Sequence, residues 1–132
     1  MLTLVRDWMK SPVIVIDPDT TVSYALTLMR RRNIHSVVVD LSAENGGYGI
    51  VTITDITTKI VNLDRNPMET SVREIMSAPV ITGSAEWTLK EASLFMQEHK
   101  FNHLPIEEQG VLIGMISDTD IFMAVEEIGW KK

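Results

Sequence analysis

Val5-Arg6-Asp7-Trp8-Met9-Lys10-Ser11-Pro12-Val13-Ile14 lies over Val72-Arg73-Glu74-Ile75-Met76-Ser77-Ala78-Pro79-Val80-Ile81, an offset of 72 − 5 = 67. The same offset pairs Val22 with Leu89, Ala25 with Ala92, Met29 with Met96, Ile34 with Phe101, Val37 with Leu104 and Val39 with Ile106. After a shorter turn it becomes 114 − 49 = 65, and Gly49-Ile50-Val51-Thr52-Ile53-Thr54-Asp55-Ile56 lies over Gly114-Met115-Ile116-Ser117-Asp118-Thr119-Asp120-Ile121. Self-similarity at a fixed period marks a repeated supersecondary unit. The chain therefore divides into copies at 1–65 and 66–132, with Asn62 to Thr70 as linker and Asn66-Pro67 as its break.

Working outward from the overlay, each copy reads in the same order. Val13–Asp17 is a short extended run closed by Pro18, which disfavours helix at the residue before it. Val22, Ala25, Leu26 and Met29 stand at i, i+3, i+4 and i+7, one face of a helix, and Leu89, Ala92 and Met96 repeat the stripe. Thr88 and Glu91 have capping-box spacing, whereas Tyr24 stands in the matching place after Thr21, leaving only the threonine cap. Ser36–Leu41, a turn through Asn45-Gly46-Gly47, Tyr48–Ile53 and a helix over Thr54–Leu63 complete the first copy. The second follows with His103–Ile106, a turn near Gln109-Gly110, Val111–Ser117 and a helix to about Trp130. The near-continuous apolar runs Val37–Val39 and Val111–Ile116 predict strands buried on both faces. The fold class is α/β: two pseudo-symmetric β-α-β-β-α repeats, each too small to bury its own apolar surface, packed through their sheets.

Composition narrows the function. Hydrophobic residues make up 45% and charged residues 23%, the balance of a globular core. The net charge of −6 argues against a nucleic-acid polymer, whose phosphates it repels. With no cysteine, neither a disulfide framework nor a thiolate metal site is available, which fits a reducing cytoplasm. The opening residues carry Arg6, Asp7 and Lys10 with no apolar run behind them, so neither signal peptide nor membrane anchor is expected. No stretch approaches the roughly 18 apolar residues of a spanning helix. H-E-x-x-H, P-loop, G-x-S-x-G and G-x-G-x-x-G motifs are all lacking, which weighs against an enzyme. The spacing of His99 and His103 would suit zinc on a helix, but Pro105 and the strand run break that geometry, and no metal site is assigned.

Met-x-x-Pro, amphipathic helix, strand, turn, then Gly-φ-φ-Thr/Ser-x-x-Asp resembles the CBS (cystathionine-beta-synthase) repeat, and the likeness covers nearly the whole chain twice. The resemblance implies a tandem pair, a Bateman module, that has clefts between the repeats for AMP, ADP, ATP or S-adenosylmethionine and assembles as a disc-like homodimer. It implies a cytoplasmic regulatory role without catalysis and without a cofactor, the adenine nucleotide being a regulatory ligand. A separate effector protein is one route for the output, and a ligand-free dimerising scaffold is the alternative.

The motif chemistry fits that expectation. Asp55 and Asp120 would accept hydrogen bonds from a ribose cis-diol, charge-assisted and so stronger than neutral ones. Thr52 and Ser117, with free helix amides, suit a phosphate or ribose oxygen. The same four residues read equally as helix caps. By the resemblance, Pro12 and Ile14 line one adenine slot and Pro79 and Ile81 the other; Ile14 and Ile81 are also ordinary core candidates. His35-Ser36 and Asn102-His103 stand where the family often places a phosphate-facing residue, so His35, Asn102 and His103 are candidates for that role, with surface placement as the alternative. His99 is expected to be exposed, and Arg30-Arg31-Arg32 to complement a helix C-terminus. Thr54 and Thr119 replace a common arginine, Val38 a common proline, and Asp118 adds negative charge that disfavours a polyphosphate in the second cleft if it faces inward. These departures favour AMP or another ligand of low phosphate charge.

Overall fold

The computed structural model describes residues 3–44 and 46–129. It contains α1 (Val5–Trp8), β1 (Val15–Ile16), α2 (Val22–Arg32), β2 (Ser36–Asp40), β3 (Tyr48–Thr52), α3 (Ile53–Ile56), α4 (Leu89–His99), β4 (His103–Glu108), β5 (Val111–Ser117) and α5 (Asp118–Ile128). The chain forms two compact units, a contiguous one from Ile14–Val80 and a split one from 1–13 with 81–132. These divisions differ from the sequence copies at 1–65 and 66–132, because the segment that opens each copy is built into the unit of the other.

A pair of contacts explains that exchange. An added Cβ at Gly114 would lie 2.6 Å from Met9 Sδ, and one at Gly49 would lie 2.7 Å from Met76 Sδ. The methionine of each Met-x-x-Pro thus sits on the bare glycine of the other copy's Gly-φ-φ motif. Backbone pairing follows: Lys10 bridges Met115 with N–H···O distances of 2.8 and 2.9 Å, and Ser77 bridges Ile50 at 3.0 and 2.9 Å. Val5 is fully buried in the split unit, and Val72 and Ile75 are fully buried in the contiguous one. Ser11-Pro12 and Ala78-Pro79 are both cis.

In the contiguous unit the sheet order is β1-β2-β3, parallel between β1 and β2 and antiparallel from Ser36↔Thr52 to Asp40↔Tyr48. Val37, Val38 and Val39 are buried, as a strand covered on both faces requires. Val22, Ala25 and Met29 of α2 face the core with Leu26 half-buried beside them, and Thr21 Oγ1 accepts the Tyr24 amide at 3.1 Å. The segment after Thr54 departs from the expected α-helix: Thr57–Val61 is π-helical. Thr57 and Thr58 hydroxyls donate back to the carbonyls of Ile53 (3.1 Å) and Thr54 (2.8 Å), which loosens the regular ladder.

In the split unit β4 and β5 form a hairpin closed by Gln109-Gly110, whose φ angles of 53° and 82° give the turn that matches strand twist. Leu89, Ala92 and Met96 of α4 are buried, and Thr88 with Glu91 forms the expected capping box. The reading of Val111–Ile116 as buried on both faces is corrected: Val111 is 59% exposed and only Gly114 and Ile116 are buried. Val111 directly follows the Gln109-Gly110 turn, opposite exposed Glu108 at the tip of the hairpin, where both strands run out beyond the core. His99 is also not exposed; it is half-buried, its ring 4.2 Å from Phe95 and 5.4 Å from Phe101, with Nδ1 2.9 Å from the Phe95 carbonyl. Trp8 is half-buried against the core, which is packing rather than a free aromatic surface. The expectations for Asn45 and Trp130 fall outside the described residues.

Candidate functional site

Each copy ends its second hairpin strand at a Thr or Ser and turns at once into a helix, and there the candidate residues meet. Thr52 and Ser117 are extended (φ −119° and −123°) and cap α3 and α5. Asp120 Oδ2 accepts the Ser117 amide at 2.8 Å and the Ser117 hydroxyl at 3.0 Å, while Ser117 Oγ accepts the Asp120 amide at 3.2 Å. The Thr52 corner repeats this at 2.9, 3.2 and 3.4 Å. The cap reading therefore holds in both copies. It consumes one carboxylate oxygen of each aspartate and leaves Oδ1 facing elsewhere. Asp55 and Asp120 are 8% and 7% exposed, unusual burial for carboxylates and tolerable because of these bonds.

Each outer oxygen faces a lysine that the sequence reading did not single out. Lys59 Nζ is 3.3 Å from Asp55 Oδ1, and Lys10 Nζ is 3.5 Å from Asp120 Oδ1. The Asp55/Lys59 pair stands at i, i+4 and was available from spacing alone. Lys10 and Asp120 are far apart in sequence, and only the exchange of opening segments brings them together.

His35 and Asn102 reach the corners through their backbones: the His35 carbonyl accepts the Ile53 amide (3.2 Å) and the Asn102 carbonyl accepts the Asp118 amide (3.1 Å), while both side chains are exposed. His103 is half-buried and pairs in register with Ser117. Ile14 is half-buried against the core and its carbonyl accepts the Val38 amide at 2.9 Å, so the core alternative holds for it in part. Ile81 is 43% exposed and is not a core residue; Pro12 and Pro79 are exposed. The split unit thus holds Pro12, Ile81, Asn102, His103, Ser117 and Asp120, and the contiguous unit holds Ile14, His35, Thr52, Asp55 and Pro79.

Matching clefts lie between the two helices of each copy, about 370 Å³ beside Met96, Lys100, Phe101, Asp118 and Ile121 and about 310 Å³ beside Met29, Asn33, Ile34, Ile53 and Ile56. Asp118 lines the first of these, and its carboxylate accepts the Thr119 amide at 2.8 Å. At about 100° per residue it projects away from the side of α5 that carries Asp120. Among the described residues no cluster of His, Cys, Asp or Glu could hold a metal ion, and no helix is long and apolar enough to cross a membrane.

Fold and corners together define a duplicated α/β module in which each half presents one capped, buried aspartate. The chain belongs to the CBS domain family, whose model matches residues 5–62 and 72–127. It is 30% identical over 121 residues to the CBS domain-containing protein YhcV of Bacillus subtilis, covering 91% of this chain and 84% of that one. In other relatives the matching part is a smaller share of a longer protein, from 76% down to 14%. Among solved structures, the hexameric CBS-CP12 protein of bloom-forming cyanobacteria superposes with a TM-score of 0.91 at 26% identity, over 99% of this chain and 76% of that one. The CBS domain pair of MJ0100, crystallised with 5′-methylthioadenosine and S-adenosyl-L-methionine, shares the fold with a TM-score of 0.81 at 21% identity, over 96% of this chain and 98% of that one.

Proposed function

We propose that this chain is a regulatory module that binds an adenosine-containing ligand, AMP in preference to ADP, ATP or S-adenosylmethionine, and catalyses nothing. The observation that carries the reading is the pair of buried aspartates, Asp55 and Asp120, at equivalent corners, each with Oδ2 committed to the cap and Oδ1 turned outward. A carboxylate fixed by its own cap is pre-oriented, so a ribose hydroxyl gains a charge-assisted bond without ordering the acceptor. A protein of the same fold holds two adenosine-containing molecules in its crystal, which supports adenosine as the common element. The single phosphate of AMP suits the Asp120 corner, where one exposed lysine, Lys10, stands nearby.

The module signals by population shift: a ligand favours the arrangement to which it binds more tightly. Output passes to a homo-oligomer or to a separate effector protein. The alternative, a dimerising scaffold without a ligand, is favoured by the completeness of the caps, which need no ligand to satisfy the aspartates.

Calorimetry and thermal melts with AMP, ADP, ATP and S-adenosylmethionine separate these readings. A ligand at about 100 times its dissociation constant should stabilise the fold by about 2.7 kcal/mol. Asp55→Asn and Asp120→Asn, which keep a cap acceptor but remove the charge, should each weaken that stabilisation. Tightest binding by ATP would refute the preference for AMP, and no stabilisation by any of the four would leave the scaffold.

A further inference from the structure

The two lysines beside the aspartates are held differently. Lys59 is on the same helical segment as Asp55, and its ammonium also donates to the Ile75 carbonyl at 2.9 Å, with the side chain 40% exposed. Moving it would leave a carbonyl without its partner. Lys10 projects from the Met115 bridge, is 70% exposed, and lies 3.5 Å from Asp120 Oδ1, beyond ordinary hydrogen-bond length. A contact of that length to so exposed a lysine is weak, although Asp120 itself is buried, and the ammonium rides on a flexible four-carbon stem.

We propose that Lys10 determines specificity at the Asp120 corner: a ribose hydroxyl takes its place on Asp120 Oδ1, and the released ammonium meets the ligand's phosphate. This rests on the reading of the aspartates as ribose acceptors. The split unit then takes the phosphorylated nucleoside. The contiguous unit keeps its corner lysine bonded between Asp55 and Ile75, so that cation is not released and the corner favours the nucleoside without phosphate. Arg6, another cation of the split unit's opening segment, is committed to Glu86 and Glu108 at 2.5 and 2.6 Å and does not compete for this role. Asp118, which would oppose a phosphate, lines the cleft beside Lys100.

The test is calorimetric titration of the full chain with adenosine and with AMP, in an Asp55→Asn background that confines binding to the split unit. The parent should bind AMP about tenfold tighter than adenosine, the worth of one partly exposed charge-assisted contact. Lys10→Met should abolish that gap while leaving adenosine bound at least as tightly, because the competing cation is gone. Lys10→Arg should keep the gap, which shows that charge rather than chain length matters. In the otherwise unmodified chain, Lys59→Met should leave the AMP preference intact. The proposal is overturned if Lys10→Met keeps the gap, if it weakens both ligands alike, or if the gap disappears instead in His103→Gln. Failure of the unmodified chain to bind either ligand overturns the ribose reading and this one together, whereas binding with an unchanged gap in Lys10→Met overturns this one alone.

Discussion

The contiguous and split units solve the same packing problem with different side chains. In the contiguous unit Ile16 is buried in the core, and its strand β1 pairs in parallel with β2. In the split unit the equivalent position is Gly83, which makes only a single bridge to Ile106. An added Cβ there would lie 2.7 Å from Leu104 Cδ2 and 2.9 Å from the Trp87 ring. Trp87, at the position of Thr20, covers the glycine and meets the Phe95 ring at a tilt, 5.0 Å between centroids, starting the ring series that continues through His99 to Phe101. Strand pairing and a buried isoleucine in one unit are replaced by an aromatic lid over bare backbone in the other. Equivalent positions in a duplicated fold are therefore constrained jointly, as filled space, and not residue by residue.

The largest expected effect comes from making the split unit imitate the contiguous one. Gly83→Ile should destabilise by about 3 kcal/mol, because both Leu104 and Trp87 would have to move. Trp87→Thr should cost about 2 kcal/mol through the space it empties. The double variant copies the Ile16/Thr20 arrangement and should lose less than the sum, with a coupling on the order of 1 kcal/mol in a double-mutant cycle read by urea denaturation. Strict additivity would show that the ring and the glycine are not paired.

The same contrast explains what could be read from the sequence. Local features were legible: the stripe Leu89/Ala92/Met96, the Thr88–Glu91 box, the Gln109-Gly110 turn and the Thr/Ser-x-x-Asp corners all depend on neighbours within a few residues. The features missed depend on distant partners. Lys10 meets Asp120 only after the opening segment joins the split unit. Val111 looks like a core residue until the hairpin tip is seen to extend beyond the core. Spacing recovers what a helix or hairpin enforces locally; the exchange of segments that brings Lys10 to Asp120 has no local signature.

A smaller effect sharpens the comparison at the helix starts. Thr88 and Glu91 satisfy two amides of α4 between them, whereas α2 has the Thr21 cap alone and no acidic residue in its first turn. Thr88→Ala should cost about 1 kcal/mol, and Thr21→Ala somewhat less. Tyr24 is 56% exposed, so Tyr24→Glu removes little packing. It completes the missing box and places a negative charge at the helix N-terminus, for an expected gain of about 0.5 kcal/mol measured as a raised denaturation midpoint. No gain would mean that Tyr24 makes a stabilising contact that its exposure conceals.

The smallest effect is on acid sensitivity, which falls on the contiguous unit. Arg73 joins Glu44 at 2.6 Å and Asp19 at 3.1 Å, and Arg65 joins Glu74, whose carboxylate also accepts the Ser71 amide at 2.9 Å. The hydrogen bond from Arg73 holds Glu44 below the usual glutamate range, and the Ser71 amide, followed by Arg65, does the same for Glu74. A carboxylate whose folded value is depressed binds its proton more readily when unfolded. Its contribution is therefore complete above the ordinary glutamate range and is lost as pH falls through and below it. The carboxylates are exposed and the arginines only partly buried, so the contribution is small and weakened by salt. Glu44→Gln and Glu74→Gln should lower the melting midpoint slightly at pH 7, and the gap to the parent should close on acidification to about pH 3 or on raising the salt to about 1 M. A gap that persists at pH 3 in high salt would assign the loss to packing of the side-chain stems rather than to their charge, because neither proton nor ion could then account for it.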